Sequence, residues 1–146
     1  MSIPRPNGAP GAYFAALGVT NEVTRQVMAA ALSKGGDNCE LYFEHASSTS
    51  VLLTDGKVNQ ASTQVSLGMG VRVRIGDQVG YAYSEDLSPS ALKAAALTAA
   101  GIANASAPRD VATPVAMSLP NHYPVVQPWD DVDIGHRVKM VREWEQ

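Results

Sequence analysis

From Cys39 to Glu44 the chain alternates strictly: Cys39, Leu41 and Phe43 fall on one face, Glu40, Tyr42 and Glu44 on the other, the period-two pattern of a half-buried strand. The same pattern returns over a longer run. Val65, Leu67, Met69, Val71, Val73 and Ile75 alternate with Ser66, Gly68, Gly70, Arg72 and Arg74, so one face is apolar and the other polar or bare. Upstream the spacing changes to that of a helix. Thr20 or Asn21 caps it, Glu22 sits in its first turn, Val23, Val27 and Ala30 or Ala31 form a stripe, and Gly35-Gly36 ends it.

Two turn signals join the strands. Asp55-Gly56 predicts a type I′ hairpin, because both central residues tolerate positive φ; it sets Thr54 opposite Lys57 and Leu53 opposite Val58. Gly76-Asp77 predicts a second hairpin with Ile75 opposite Gln78. Its register places Val73 beside Gly80, Val71 beside Ala82, Arg72 beside Tyr81 and Gly70 beside Tyr83. Gly80 and Ala82 leave a shallow trough on the apolar face. The next segment, opened by Ser88-Pro89 as N-cap and first helical residue, is an alanine-rich helix, ALKAAALTAAGIA, slim enough to lie in that trough. On the other face, Tyr83 is expected to cover the bare backbone of Gly70, and Arg72 to stack on Tyr81.

The predicted architecture is α+β: an antiparallel, curved sheet of hairpins with helices before and after it, the alanine-rich helix packed on one face. Residues 1–18 read as a mobile lead, 19–103 as the domain and 104–128, with five prolines, as an extended arm. Residues 129–146 read as the start of a following helix, from about Asp130, with Ile134, Val138 and Val141 on its stripe and Arg137, Lys139 and Arg142 late. It stops at Gln146 without a cap, which reads as a truncation.

Composition narrows the function. With 146 residues and a net charge of -3, basic residues being dispersed, the chain lacks the electrostatic footprint of a nucleic-acid binder. No apolar run is long enough for export or membrane insertion, and a single Cys39 in an alternating strand reads as a buried, reduced thiol, so a cytoplasmic location is expected. Gly68-Met69-Gly70 is not a phosphate loop: the position that a dinucleotide fingerprint reserves for a third glycine is Val73, and strand continues where a helix is required. His45, His122 and His136 lie too far apart in sequence for a zinc-binding helix. Glu40 and Glu44, four apart on a strand face, suit pairing with arginines better than acid–base catalysis.

Residues 40–92 resemble the N-terminal domain of the TldD/PmbA family, historically called modulators of DNA gyrase. The resemblance rests on ELYFE at 40–44, DGKV at 55–58, GVRV at 70–73 and GYAYSEDL at 80–87, in this order and spacing. The wording of ELYFE and GYAYS is closer to TldD. The resemblance implies a cytoplasmic zinc metallopeptidase that processes or degrades peptides together with a PmbA-type partner subunit. It also implies that zinc ligands and the catalytic glutamate lie in a downstream HExxxH helix, so no catalytic, metal or cofactor residue is expected in this chain and zinc belongs to the full-length protein. The expected contribution of the chain is peptide guidance or contact with the partner subunit or missing C-terminal domain, with Arg72, Tyr81 and Tyr83 as the candidate contact residues. The alternative is a freestanding, non-catalytic adaptor that binds a protein through the same face. Substrate and oligomeric state are not legible, and no residue supports a link to gyrase.

Overall fold

The computed structural model describes residues 10–102, 109–115, 117, 120, 122 and 124–144. In chain order these form α1 (Pro10–Ala16), α2 (Asn21–Leu32), β1 (Asn38–Thr54), β2 (Lys57–Ile75), β3 (Gln78–Ser84), α3 (Pro89–Ala100), a 3₁₀ turn (Trp129–Asp131) and α4 (Ile134–Trp144). The three strands make one antiparallel sheet in the order β1-β2-β3, flanked in sequence by helices, an α+β arrangement. The chain divides into two compact units, residues 1–45 with 66–114, and residues 46–65 with 115–146.

The core of the first unit follows from the two-faced β2. Met69, Val71 and Val73 are at most 1% exposed, whereas Arg72 and Arg74 between and beyond them face solvent. Against the apolar face lie α2, contributing Val27, Ala30 and Ala31, and α3, contributing Leu92, Ala95, Ala96 and Ala99. Both helices start where their sequences require. The Thr20 hydroxyl accepts from the Val23 N–H at 3.3 Å, and the Ser88 hydroxyl accepts from the Ala91 N–H at 3.4 Å with Pro89 following it. The helix α3 packs on both α2 and β3.

Small side chains bury little apolar area each, so α3 gains its hold by approaching the sheet closely. The site of approach is Gly80 on β3. A Cβ there would collide with the Ala99 carbonyl oxygen and come within 2.8 Å of Ile102 Cγ2. The trough expected from Gly80 and Ala82 is therefore the seat of α3. The β2–β3 register also matches expectation at every pair, from Ile75 opposite Gln78 to Gly70 opposite Tyr83. Of its turn residues only Gly76 has positive φ, at 55°, as in a type II′ turn with glycine first.

The first hairpin is less simple. Asp55 and Gly56 have φ of 52° and 71°, as a type I′ turn demands. Yet the side chains that meet across β1 and β2 are Thr49 with Thr63, Ser50 with Ser62 and Glu40 with Arg72. Each pair stands one residue off the register that Thr54 opposite Lys57 would carry along the strands. Neighbouring residues on a strand point to opposite faces, so an odd offset cannot be a diagonal contact; one extra residue is accommodated between the turn and the Ser50–Ser62 pair. This shift is what brings Cys39, Leu41 and Phe43 to the same face as Met69, Val71 and Val73.

Two expectations at the chain's ends change. Residues 1–9 of the expected mobile lead lie outside the described residues, but Pro10–Ala16 form a helix, and Tyr13 is only 9% exposed. Its hydroxyl bonds to His45 Nδ1, and Phe14 packs on Phe43 with ring centroids 5.4 Å apart. At the other end, α4 begins at Ile134 and not Asp130, because the Asp133 carboxylate accepts from the Gly135 N–H at 2.7 Å and the preceding residues form the 3₁₀ turn. Within the second unit Arg137, only 8% exposed, donates from Nε to the Val132 carbonyl at 2.9 Å and lies 4.6 Å over the Trp129 ring. Described positions of the proline arm are neither helix nor strand; much of the arm, and the last two residues, lie outside the described set.

Gly80→Ala is predicted to lower stability by about 1–3 kcal/mol, an overpacking cost imposed by rigid backbone. Gly11→Ala, where a Cβ meets nothing within 4 Å, should leave the midpoint of urea denaturation almost unmoved.

Candidate functional site

The face of the sheet opposite the helices is set by alternation alone. On β2 it carries Ser66, Gly68, Gly70, Arg72 and Arg74; the register places Tyr83 opposite Gly70, Tyr81 opposite Arg72 and Val79 opposite Arg74. On β1 it carries Asn38, Glu40, Tyr42 and Glu44. Three tyrosines stand out into solvent here: Tyr42 is 64% exposed, Tyr81 65% and Tyr83 72%. An exposed trio of large amphipathic rings is costly to leave unused and is the kind of surface enriched at protein contacts.

The structure brings Arg72, Tyr81 and Tyr83 onto one face, yet not in the expected mutual contacts. A Cβ on Gly70 would stand 2.6 Å from the Tyr81 hydroxyl and 3.3 Å from its ring, so the residue lying over Gly70 is Tyr81, reaching diagonally along the strand pair. Tyr83, directly opposite Gly70, is left to solvent. Arg72 turns the other way: its Nη2 donates to both carboxylate oxygens of Glu40, at 2.7 and 2.6 Å. The expected stack of Arg72 on Tyr81 gives way to this ion pair, because Tyr81 is drawn over the gap that Gly70 leaves. Glu44 instead accepts from the Tyr42 hydroxyl at 2.9 Å and from Ser66 at 3.3 Å.

Electrostatics follow these contacts. The hydrogen bond from Arg72, reinforced by the charges of Arg72 and Arg74, holds the Glu40 carboxyl below its ordinary range. Such a carboxylate contributes stability that is present above its ordinary value and is lost as pH falls through its lowered one. The bond to Glu44, and then its charge, pushes the Tyr42 phenol up. Burial, followed by the negative charge of Glu40, pushes the Cys39 thiol up, so at neutral pH it is the neutral, weakly nucleophilic form. None of these groups is tuned toward acid–base work at neutral pH.

Among the described residues no group of three or more histidine, cysteine or acidic side chains could hold an ion. His45 is engaged with Tyr13, Cys39 lies at the half-buried core edge, and His136 lies on α4. The described residues do not fit a catalytic zinc site. Sequence reasoning missed the Tyr13–His45 and Phe14–Phe43 contacts; the adjacent aromatics of GAYFAALG were the available signal, outweighed by the surrounding prolines and glycines.

Two measurements check this geometry. The Glu40 carboxyl should titrate below the ordinary glutamate range by NMR and return toward it in Arg72→Gln. Cys39 should react slowly with a thiol reagent at neutral pH in the folded chain and rapidly after denaturation.

Comparison with known proteins supplies the context. Residues 39–103 match the family PmbA/TldA metallopeptidase domain 1. A protein named as a metalloprotease TldD homolog, from Haemophilus influenzae, is 25% identical over 108 residues, covering 72% of this chain but 22% of the relative. The chain thus spans about a fifth of that relative's length. No helix among the described residues is long and apolar enough to cross a membrane. The matched segment begins at the first alternating strand and ends just beyond α3, so the likeness to that family's first domain falls on the sheet and the helix seated in it.

Proposed function

We propose that this chain is the N-terminal domain of a TldD-like, cytoplasmic zinc metallopeptidase that processes or degrades peptides, and that its own contribution is contact and not catalysis. The observation that carries this reading is the pairing of a peptidase-family domain with a sheet face that displays Tyr42, Tyr81 and Tyr83 beside Arg72 while offering no metal-binding cluster among its described residues. Zinc and the bond-breaking residues belong to the remainder of the full-length protein. The outer sheet face guides the peptide or meets a PmbA-type partner subunit or the downstream catalytic domain.

The physical case rests on what each face has to do. The inner face of the first unit is covered by α2 and α3. The outer face combines rigid rings of low conformational entropy, which are efficient contact groups, with a guanidinium whose donors are only partly used. A peptidase of broad sequence tolerance needs such contacts away from the reacting bond, because they position substrate without dictating its side chains.

Replacing Tyr81 and Tyr83 together by alanine should weaken association with peptide or partner subunit by about tenfold or more, the loss typical of truncating interface aromatics, with the circular-dichroism spectrum and melting temperature of the chain retained. Undiminished association would remove this face from the contact. Residues 1–146 alone should show no zinc-dependent peptide cleavage, and robust cleavage would overturn the division of labour.

A further inference from the structure

The outer face ends in a small recess lined by Asn38, Glu40, Arg72, Arg74 and Val79, with a volume of about 170 Å³. Its charges do not balance. Two guanidiniums on alternate residues of β2 share one carboxylate, and that carboxylate is committed to Arg72 through a single nitrogen, Nη2. Arg74 lies close enough for its charge to act on Glu40, yet among the described residues no acidic side chain forms an ion pair with it. The nearby carboxylate of Asp37 is already engaged, accepting from the Gly76 N–H at 2.8 Å and pairing with Arg109 at 3.0 Å. The recess therefore carries one net positive charge and several unused N–H donors.

We propose that this recess receives an acidic side chain, aspartate or glutamate, of a polypeptide bound across the outer face. The proposal rests on the reading of that face as a peptide-contact surface and adds the chemistry of what is contacted. Arg74 supplies the uncompensated charge, and the donors of Arg72 not turned toward Glu40 are available to the same oxyanion. Planar guanidiniums suit a carboxylate better than an ammonium would, because two parallel N–H groups match its two oxygens. Asn38, on the same face of β1, adds an amide donor.

An acidic side chain is favoured over a chain terminus by position. The recess lies at one end of a face that continues through Tyr81, Gly70 and Tyr83, so a bound strand passes over it with side chains directed down. Exposure keeps the interaction modest: the Arg72 and Glu40 side chains are 53% and 58% exposed, and charge pairs in such settings are screened by water and salt. The recess thus acts as a selectivity device within a larger contact.

The test uses the 146-residue chain and two pentapeptides, acetylated and amidated, that differ only in a central glutamate or glutamine flanked by alanine and tyrosine. Binding is followed by chemical-shift titration at low ionic strength. The glutamate peptide should bind about three- to tenfold more tightly, in the range of one exposed charge-assisted hydrogen bond, and the advantage should shrink in 1 M salt. Arg74→Gln should bring the glutamate peptide's affinity down to that of the glutamine peptide, and Arg74→Lys should restore part of the difference. Equal binding of the two peptides, or an advantage that survives Arg74→Gln, overturns the proposal while leaving the peptide-contact reading intact. Failure of both peptides to bind removes that reading and the proposal with it.

Discussion

The close approach of α3 to the sheet at Gly80 is the constraint on which the first unit depends. An alanine-rich helix has little apolar area to offer, and it stabilises a domain only if backbone can come near backbone. Gly80 grants that distance, and the consequence spreads outward. With α3 seated, α2 closes over its side, and Met69, Val71, Val73 and Leu92 become the fully buried centre. Every residue that alternates with this centre is then committed to the other face. The outer surface of arginines and tyrosines is in this sense a by-product of the core's register.

That dependence explains what was legible in the sequence. The β2–β3 register could be read because one turn, Gly76-Asp77, lies next to the pairs it sets, and no residue intervenes between turn and core. The β1–β2 register could not, because the Asp55-Gly56 turn is separated from the core by a long polar ribbon, and one accommodated residue within it shifts every later pair. The apolar pattern itself contained the correction: Cys39, Leu41 and Phe43 reach the core face only with the shift. The trough for α3 was visible as Gly80 and Ala82 facing an alanine helix. The side-chain details of the outer face were not, because which of two tyrosines bends over Gly70 is decided by local packing that no periodicity records. The first helix was hidden for a related reason, since Tyr13 and Phe14 are ordered by partners on β1 that lie about thirty residues away.

The candidate site is a set of side-chain contacts on the outer sheet face. Its perturbed groups are perturbed in unproductive directions for catalysis: a carboxylate held charged, a phenol and a thiol held neutral. Groups set this way make durable contacts and poor proton shuttles. On the proposed reading such a domain presents surface, and the chain spans about a fifth of the metalloprotease TldD homolog it resembles.

The central claim is that the outer sheet face is the contact surface. Chemical-shift mapping of the isotopically labelled chain, on addition of a TldD-family catalytic region or its partner subunit, tests it most directly. The account predicts perturbations centred on Tyr42, Arg72, Arg74, Tyr81 and Tyr83, with the amides of α2 and α3 little changed. Perturbations confined to the solvent-facing sides of α2 and α3, with the tyrosine face silent, would contradict it.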